Sequence, residues 1–335
     1  MRVTFFQSCP HEGNFSIERL FVAVRRALPD NIDYRVAVSR FPSRGIWRRA
    51  YNILEAAFRQ GHVNHITGDV HFLTYLLHKK RTVLTIHDCV TLERLHGISK
   101  RVVFLLWYWL PEKRSKIITV ISSSTKRELL RYINCDPEKI RVIPDCISED
   151  FKPTPYTFNT QKPRILQVGT GKNKNILLLA EALKSSNCHL RIIGKLSDKQ
   201  IETLKKFHIE YSSVANISDR EIVKEYQKCD MLVFVSTYEG FGLPILEAQA
   251  TGRPVVTSNI LSMPEVAGES ACLVNPFDVQ SIRAEILKVI EDKEYRDSLV
   301  KRGLRNAQRF NPTAIAHQYA EIYEELFRDG PENGG

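Results

Sequence analysis

The chain lacks an apolar stretch long enough to cross a bilayer. In its 335 residues the run from Val102 to Leu110 contains nine consecutive apolar side chains, whereas a membrane-spanning helix needs about 18. The first ten residues, MRVTFFQSCP, are interrupted by polar side chains too early to form a secretory signal. We therefore predict a cytoplasmic protein without a membrane-spanning segment.

The spacing of the cysteines does not indicate disulfides or zinc ligands. The seven cysteines contain no Cys-x-x-Cys pair and no cluster with the spacing of zinc ligands. An odd number of scattered cysteines is typical of reduced thiols in the cytosol. The sequence therefore gives no indication of disulfides or of a cysteine-bound metal.

Negative charge is scarce in the first half of the chain. Residues 1–152 contain 25 Lys and Arg against 15 Asp and Glu, whereas residues 153–335 contain 23 of each. This asymmetry indicates that the first half meets an anionic partner such as a membrane surface, a nucleic acid or an acidic acceptor. A basic, solvated surface is the alternative. Because no recognised nucleic-acid motif accompanies the charge, we predict no nucleic-acid partner.

Two basic segments contain the apolar residues from which a membrane contact could form. Residues 44–59 are predicted as an amphipathic basic helix. Residues 100–116, KRVVFLLWYWLPEKRSK, place three aromatic residues between basic ones. A core helix is the favoured interpretation of the second segment, and an interfacial membrane contact is the alternative.

Strands that alternate with helices dominate the rest of the pattern. Such alternation is typical of doubly wound parallel sheets. It runs through residues 1–152, is interrupted by a proline-rich segment that predicts a linker at 153–160, and resumes over 160–311. We therefore predict two α/β domains, the first completed by a carboxyl-terminal helix at about 312–328.

The most informative stretch is MLVFVSTYEGFGLPILEAQATGRPVVTSNILSMP, which starts at Met231. An apolar strand leads into a glycine-rich turn and then into a helix with Pro244 in its first turn. The amino terminus of such a helix binds anions. Glu239 lies on the turn and Glu247 on the helix. An ordinary crossover with surface glutamates is the alternative.

A second candidate anion site is VGTGKNKN, residues 168–175. It lies directly between a predicted strand and a predicted helix, and its glycines allow a ligand to approach the backbone. It matches neither a Walker A loop nor a GxGxxG fingerprint. Together with the Glu239 loop, it predicts a diphosphate site at one sheet edge, with Lys174 and Lys172 as cations and the amides of Gly242 and Leu243 as donors.

These segments resemble the retaining glycosyltransferases of the GT-B fold, the family-4 group also called glycosyl transferases group 1. The Glu-x7-Glu motif of that family is matched by Glu239 and Glu247. VISSSTKRELL and KIRVIPDCISEDFKP are similar to the end of its first domain, VGTGKNKN to its diphosphate loop, and TIHD to its acceptor-side loop. The resemblance implies two Rossmann-like domains that face a cleft.

The resemblance also implies roles for individual residues. Glu239 contacts the hydroxyls of the donor sugar, Glu247 the ribose, and Lys174 the diphosphate. His87 points toward the sugar, with a structural role as the alternative, and Asp88 orients it or binds the acceptor. The remaining residues expected to bind the nucleotide sugar are Gly13, Gly169, Lys172, Phe241, Gly242 and Leu243.

The sequence departs from the family in two places. The arginine that often follows the glycine of the diphosphate loop is replaced by Thr170, and Lys172 is a candidate to compensate. The amino-terminal Gly-Gly loop is absent, and Gly13 is the nearest equivalent. Acceptor recognition is therefore the less defined half of the prediction.

Taken together, the resemblance implies a retaining glycosyltransferase of cell-envelope polysaccharide or O-antigen-type assembly. It would use a UDP- or GDP-sugar and a glycan or lipid-linked acceptor. Its basic first domain would contact an anionic membrane, placing the protein at the inner face of the cell membrane. No metal or other cofactor is expected, since no DxD motif is present and Lys174 supplies the positive charge. The alternatives are a non-catalytic GT-B subunit and a nucleotide-sugar epimerase or hydrolase.

Overall fold

The computed structural model describes residues 1–9 and 16–329. The chain divides into two compact units. The first contains residues 1–146 and the segment from Pro312 onward, and the second contains residues 147–311. Gly13, which we predicted to approach the ligand, lies outside the described residues.

The first unit is built on one parallel six-stranded sheet. Its strands lie in the order β2-β1-β3-β4-β5-β6. They are β1 (Arg2–Gln7), β2 (Asp33–Val38), β3 (Val63–Ile66), β4 (Thr82–Ile86), β5 (Ile117–Val120) and β6 (Ile140–Val142). Its helices are α1 (Ser16–Arg26), α2 (Ile46–Phe58), α3 (Val90–Arg94), α4 (Gly97–Val103), α5 (Leu110–Arg114) and α6 (Ser123–Tyr132).

The second unit has its own parallel six-stranded sheet, in the order β12-β11-β10-β7-β8-β9. Its strands are β7 (Arg164–Val168), β8 (His189–Ile193), β9 (Glu210–Val214), β10 (Met231–Phe234), β11 (Val255–Ser258) and β12 (Cys272–Val274). Its helices are α7 (Ile176–Ala182), α8 (Asp198–Lys206), α9 (Asp219–Lys228), α10 (Leu243–Ala250), α11 (Met263–Ala267), α12 (Val279–Glu291) and α13 (Lys293–Gln308).

The strand order of the second unit fixes where a ligand can bind. The order reverses between β7 and β10, because the chain first builds outward through β8 and β9 and then returns to the other side of β7. At such a switch point the loops after the two central strands diverge and leave a crevice at their carboxyl ends. Every residue of β10 is buried, as expected for a parallel strand covered on both faces.

The segment that we predicted as a linker packs against the second unit. The Arg253 guanidinium lies 3.6 Å from the centroid of the Tyr156 ring and donates a hydrogen bond to Thr154. The Phe151 ring meets the Tyr226 ring edge-on at 5.4 Å. The division between the units therefore falls at residues 146 and 147, rather than at residue 152. Tyr156 and Phe151 thus pack against buried residues of the second unit.

The final helix, α14 (Pro312–Arg328), returns to the first unit. The Tyr323 hydroxyl lies 2.7 Å from Nδ1 of His65 on β3, and Nε2 of His65 lies 2.7 Å from the Thr85 hydroxyl on β4. His65 and Tyr323 are both completely buried. A polar chain thus joins the helix to the centre of the sheet. Burial, together with the nearby charges of His87 and Arg25, lowers the pKa of His65 to about 3.

The low pKa of His65 makes the first unit sensitive to acid. The unfolded chain takes up a proton at His65 below pH 6.5 and the folded chain does not, so stability falls as the pH decreases toward 3. We expect this residue to cost about 2 kcal/mol of stability between pH 7 and pH 5. Denaturant unfolding at the two pH values should show a smaller loss in His65→Gln than in the unsubstituted protein. His96→Gln, at an exposed position, should behave like the unsubstituted protein, and an equal loss in all three would contradict the assignment.

The segment of residues 100–116 is helical as far as Arg114 but is not a plain core helix. Residues 104–109 form a π-helical turn between α4 and α5. Tyr108 is buried, whereas Val102, Leu105 and Trp109 are exposed. Core packing alone therefore does not explain why apolar side chains of this segment are exposed to solvent. Within the described part of the chain, no helix is both long and apolar enough to cross a membrane.

Candidate functional site

The centre of the candidate site is an ion pair between two loops of the second unit. Lys174 follows β7 and Glu239 follows β10, the two strands at the switch point. Nζ of Lys174 lies 2.6 Å from Oε1 of Glu239, and the two side chains are 18% and 14% exposed. The Lys174 ammonium also lies 4.5 Å from the centroid of the Phe234 ring. A cation is thereby held mostly out of water at the carboxyl edge of the sheet.

Gly169 makes the position of Lys174 possible. Its φ of +84° is a conformation that side chains disfavour, and a Cβ atom there would lie 2.8 Å from Cε of Lys174. The stem of Lys174 therefore crosses directly over the glycine. Lys172, on the same short turn, is exposed.

Two asparagines hold the Lys174 loop against the Glu239 loop. The Asn173 carbonyl accepts a 2.8 Å hydrogen bond from the Thr237 amide, and its Nδ2 donates to the Tyr238 carbonyl at 2.9 Å. Asn175 adopts a left-handed conformation with φ of +58° and donates to the Val235 carbonyl at 3.1 Å. The loops thus form one backbone framework around the ion pair.

Ser262 holds the backbone of the glycine-rich turn in place through its hydroxyl group. Its hydroxyl lies 2.9 Å from the carbonyl of Glu239 and 2.8 Å from that of Phe241, and can donate to either. Gly242, with φ of +113°, then directs the chain into α10, so the first amides of that helix lie at the same sheet edge. The Phe241 ring is buried against Phe310 at 5.9 Å between centroids. Only the backbone of Phe241 can therefore meet a ligand.

Glu247 lies one turn into α10 and has a partner that the sequence did not reveal. Its Oε2 accepts a 2.5 Å hydrogen bond from the hydroxyl of Tyr226 on α9, a residue that is completely buried. Burial raises the pKa of Glu247 to about 7, although the Tyr226 hydrogen bond opposes that shift. Near neutral pH this carboxyl can therefore either accept or donate a hydrogen bond.

In the first unit, His87 lies at the carboxyl end of β4. Its Nε2 donates to the carbonyl of Thr67, after β3, at 3.0 Å. Because a carbonyl only accepts, Nε2 carries a proton. Asp88 makes no hydrogen bond to the His87 ring in the described structure, and its predicted role in binding the acceptor stays a prediction. Its carboxylate accepts the Val90 amide at 3.0 Å and so begins α3.

Asp145 is a buried acid near His87 that the sequence reading missed. It follows β6 and is 8% exposed. Burial raises its pKa to about 6, and the charge of His87 offsets part of that shift. Asp145 lies within the quoted KIRVIPDCISEDFKP segment, but nothing in the spacing distinguishes it from a surface acid.

Comparison with known proteins gives these loops a family context. The model of the glycosyl transferases group 1 matches residues 148–306, and that of Glycosyltransferase Family 4 matches residues 2–151. The O-antigen chain mannosyltransferase B of Escherichia coli is 30% identical over 278 residues, which are 75% of this chain and 72% of that protein. The chain belongs to the glycosyl transferases group 1.

Two further proteins show the extent of the similarity. The serotype-specific mannosyltransferase WbdA of Escherichia coli is 26% identical over 279 residues, 75% of this chain but only 34% of WbdA. The matched part of this group 1 chain thus corresponds to about a third of the length of WbdA. The structure of Anabaena Alr3699/HepE in complex with UDP and glucose has a TM-score of 0.76 at 16% identity, covering 97% of this chain and 100% of that one. The predicted family and the predicted GT-B class, with two Rossmann-like α/β units, are confirmed.

The predicted site residues of this group 1 glycosyl transferase are divided between the two units. Lys174, Glu239 and Gly169 form one cluster in the second unit, whereas His87 belongs to the first. Thr170, which stands where the family often has arginine, donates to the Lys195 carbonyl at 2.8 Å and so supports the loop after β8. Among residues 1–9 and 16–329, no three His, Cys, Asp or Glu side chains group as a metal site would. Metal independence stays a prediction.

Three supporting residues of the cluster were missed: Asn173, Ser262 and Tyr226. Asn173 and Ser262 lie inside the quoted segments, so their proximity to the loops was available from the sequence. Nothing in the sequence around Tyr226 indicates a contact with Glu247, because the two residues meet only where α9 lies beside α10.

Proposed function

We propose that the second unit binds a nucleotide sugar and that the chain transfers the sugar, with retention of configuration, to a hydroxyl of a glycan or lipid-linked acceptor. The Lys174–Glu239 pair at the switch point carries this proposal. A diphosphate needs a cation and a sugar needs hydrogen-bond acceptors, and the pair offers one of each on a rigid framework. Family membership supports the same assignment.

Before donor binding, Lys174 and Glu239 neutralise each other. A diphosphate beside Lys174 would take over the ammonium and release the carboxylate of Glu239 to accept hydroxyls of the sugar. The site then needs little rearrangement, because Asn173 and Ser262 already fix both loops. Preorganised charge of this kind stabilises a leaving group without a reorganisation cost during the reaction.

In the proposed reaction, the bond between the anomeric carbon and the β-phosphate oxygen breaks, and the nucleoside diphosphate keeps the electron pair. Lys174 and the first amides of α10 stabilise that negative charge. The acceptor oxygen bonds to the anomeric carbon on the face that the phosphate leaves. Its proton passes to a phosphate oxygen, so no covalent sugar–protein intermediate is needed.

The names of the similar proteins support a more specific donor and pathway. Two of them are mannosyltransferases, one named for the O-antigen chain, and HepE was crystallised with UDP and glucose. We propose a UDP- or GDP-linked hexose, with mannose first, and a cell-envelope polysaccharide as the product. The reaction would then take place on the cytoplasmic side, where nucleotide sugars are made.

The test is a transfer assay with a panel of UDP- and GDP-hexoses and a lipid-linked glycan extract as acceptor. We expect release of one nucleoside diphosphate that depends on acceptor, and a product whose anomeric configuration by NMR matches the donor. Acceptor-independent release would instead indicate a hydrolase. Donor binding without turnover would indicate a non-catalytic subunit.

Turnover in the same assay should not require a divalent metal. Lys174 occupies the place where a cation would otherwise balance the diphosphate. We therefore expect equal initial rates with and without EDTA. A rate lost in EDTA and restored by added magnesium or manganese would contradict this point.

Replacing Tyr226 with phenylalanine should weaken donor binding with little change in kcat. The variant loses the hydrogen bond that holds Glu247, and the pKa of that carboxyl, already raised to about 7, should rise further. We expect KM for the donor to increase about tenfold, since hydrogen bonds to charged groups contribute roughly 1.5–3 kcal/mol. The pH below which donor binding weakens should move upward. Tyr211→Phe, at a partly exposed position of the same unit, should leave both unchanged, and equal KM values in all three proteins would contradict the role.

A further inference from the structure

Helix α2 of the first unit presents its large apolar side chains to solvent. Trp47 is 87% exposed and Phe58 is 90% exposed, and Tyr51 and Leu54 between them are exposed as well. The spacing of these four residues places them on one face of the helix. A continuous apolar stripe on an outer face is unusual for a soluble unit.

The inward face of α2 contributes Ala56 and the partly buried Ile53 to the core, whereas the larger aromatic side chains of the helix face outward. Its fully buried residues are Asn52 and Ala56. Asn52 accepts a hydrogen bond from the Phe41 amide and donates to the Phe41 carbonyl, so it holds the helix through polar contacts. The helix is thus attached through Asn52, Ala56 and Ile53 and not through its exposed aromatic residues. The apolar face of the helix is therefore available to a partner outside the unit.

A second exposed stripe lies on the neighbouring helical segment. Ile98, Val102, Leu105 and Trp109 are all exposed and have the same helical spacing as the stripe on α2. The two segments are adjacent, because the guanidinium of Arg49 on α2 lies 4.6 Å from the centroid of the Trp107 ring. The two stripes therefore belong to one region of the first unit.

The positive charge of this region indicates what kind of partner binds it. Residues 40–59 contain five arginines and one glutamate, and residues 94–116 contain six Lys and Arg and one glutamate. A second copy of the chain would bring the same positive surface against itself, which like charges oppose. Nucleic acid would leave the apolar stripes without a partner. An anionic lipid surface satisfies both features.

We propose that α2 and the helical segment 97–114 dock the first unit on a bilayer that contains anionic phospholipids. Trp47, Tyr51 and Phe58 would lie at the level of the headgroups and the first acyl carbons, where aromatic side chains are favoured. The flanking arginines would pair with lipid phosphates and so strengthen binding to an anionic surface. The helices lie on the membrane, consistent with the described helices being too short to span it.

Co-sedimentation with unilamellar vesicles tests the proposal. The full chain should bind vesicles of equimolar phosphatidylglycerol and phosphatidylcholine at least tenfold more tightly than vesicles of phosphatidylcholine alone. Raising the salt concentration toward 1 M, where the Debye length falls to about 3 Å, should release most of the bound protein. Failure to bind the anionic vesicles at low salt would overturn the proposal.

A double variant tests whether the apolar stripe on α2 carries the binding. The double variant Trp47→Ser, Phe58→Ser should bind the anionic vesicles at least tenfold more weakly. Both residues are almost fully exposed, so the fold should be retained, which circular dichroism can verify. The matched control is Phe277→Ser, an exposed aromatic residue of the second unit, which should bind like the unsubstituted chain.

Charge variants distinguish the lipid surface from other occupants. Arg44→Gln with Arg48→Gln should lower vesicle binding several-fold, whereas Lys301→Gln with Arg302→Gln, also exposed but in the second unit, should not. Equal binding by the Trp47 and Phe58 double variant and the unsubstituted chain would overturn the assignment. So would a concentration-dependent dimer in sedimentation velocity that the same double variant abolishes. The proposal does not depend on the proposed transfer reaction, since vesicle binding is measured without donor or acceptor.

Discussion

Replacing Lys174 with methionine is expected to lower kcat/KM for sugar transfer about 10²–10³-fold, the usual cost of losing a preorganised group that stabilises developing charge. Methionine keeps an unbranched stem that can cross Gly169, so the loop should keep its shape. What is lost is the ammonium 2.6 Å from Glu239, and with it the positive charge for the leaving diphosphate. Steady-state kinetics at saturating acceptor would measure the change.

Two other lysines provide the comparison. Lys205→Met removes an exposed charge from α8 of the same unit and should leave turnover unchanged. Lys172→Met should have a smaller effect than Lys174→Met, because Lys172 is exposed on the short turn while Lys174 is mostly buried in its ion pair with Glu239. Equal losses at positions 172, 174 and 205 would show that only net charge matters and would contradict the role of the ion pair.

Replacing Glu239 with alanine should reduce transfer by at least about 10²-fold, as expected for a polar contact that acts in the transition state. In contrast to the Lys174 variant, it should retain affinity for the free nucleoside diphosphate, because the released ammonium remains available. The substitution removes a carboxylate from a loop that Asn173 and Ser262 hold through its backbone. The fold should therefore persist.

The control for this variant is Glu269→Ala, at an exposed position of the second unit, which should transfer sugar normally. The double variant Lys174→Met, Glu239→Ala should lose less than the sum of the two single losses in free energy, as residues that act as a unit do. Full activity of Glu239→Ala, or strictly additive losses, would argue against a shared site.

The sequence was sufficient to predict that the Lys174 and Glu239 loops meet at one edge of the second sheet. Alternating strands and helices imply a parallel sheet, and loops after parallel strands meet at one edge, so the Lys174 and Glu239 loops could be placed together without coordinates. The Glu-x7-Glu spacing then supplied the family. The length of the contact and the crossing of Lys174 over Gly169 required the structure, because they depend on backbone conformations that sequence patterns do not fix.

Other features were beyond the sequence for distinct reasons. Tyr226 meets Glu247 through the packing of two helices, which a linear pattern does not encode. The prolines after residue 151 suggested a linker, but Arg253, far along the chain, packs on Tyr156 and fixes that segment. Amphipathic periodicity predicted helix α2 but could not tell which face points outward. Only the exposure of Trp47 and Phe58 shows that the apolar face does so.

The most direct test of the central claim is the dissociation constant of UDP and of GDP, measured by calorimetry on the unsubstituted chain and on Lys174→Met. If the Lys174–Glu239 pair binds the diphosphate of a nucleotide sugar, one of the two nucleotides should bind with one-to-one stoichiometry. Its dissociation constant should then increase at least tenfold in the variant, a change of about 1.4 kcal/mol or more. Absence of binding by both nucleotides, or an identical dissociation constant in the two proteins, would contradict the account.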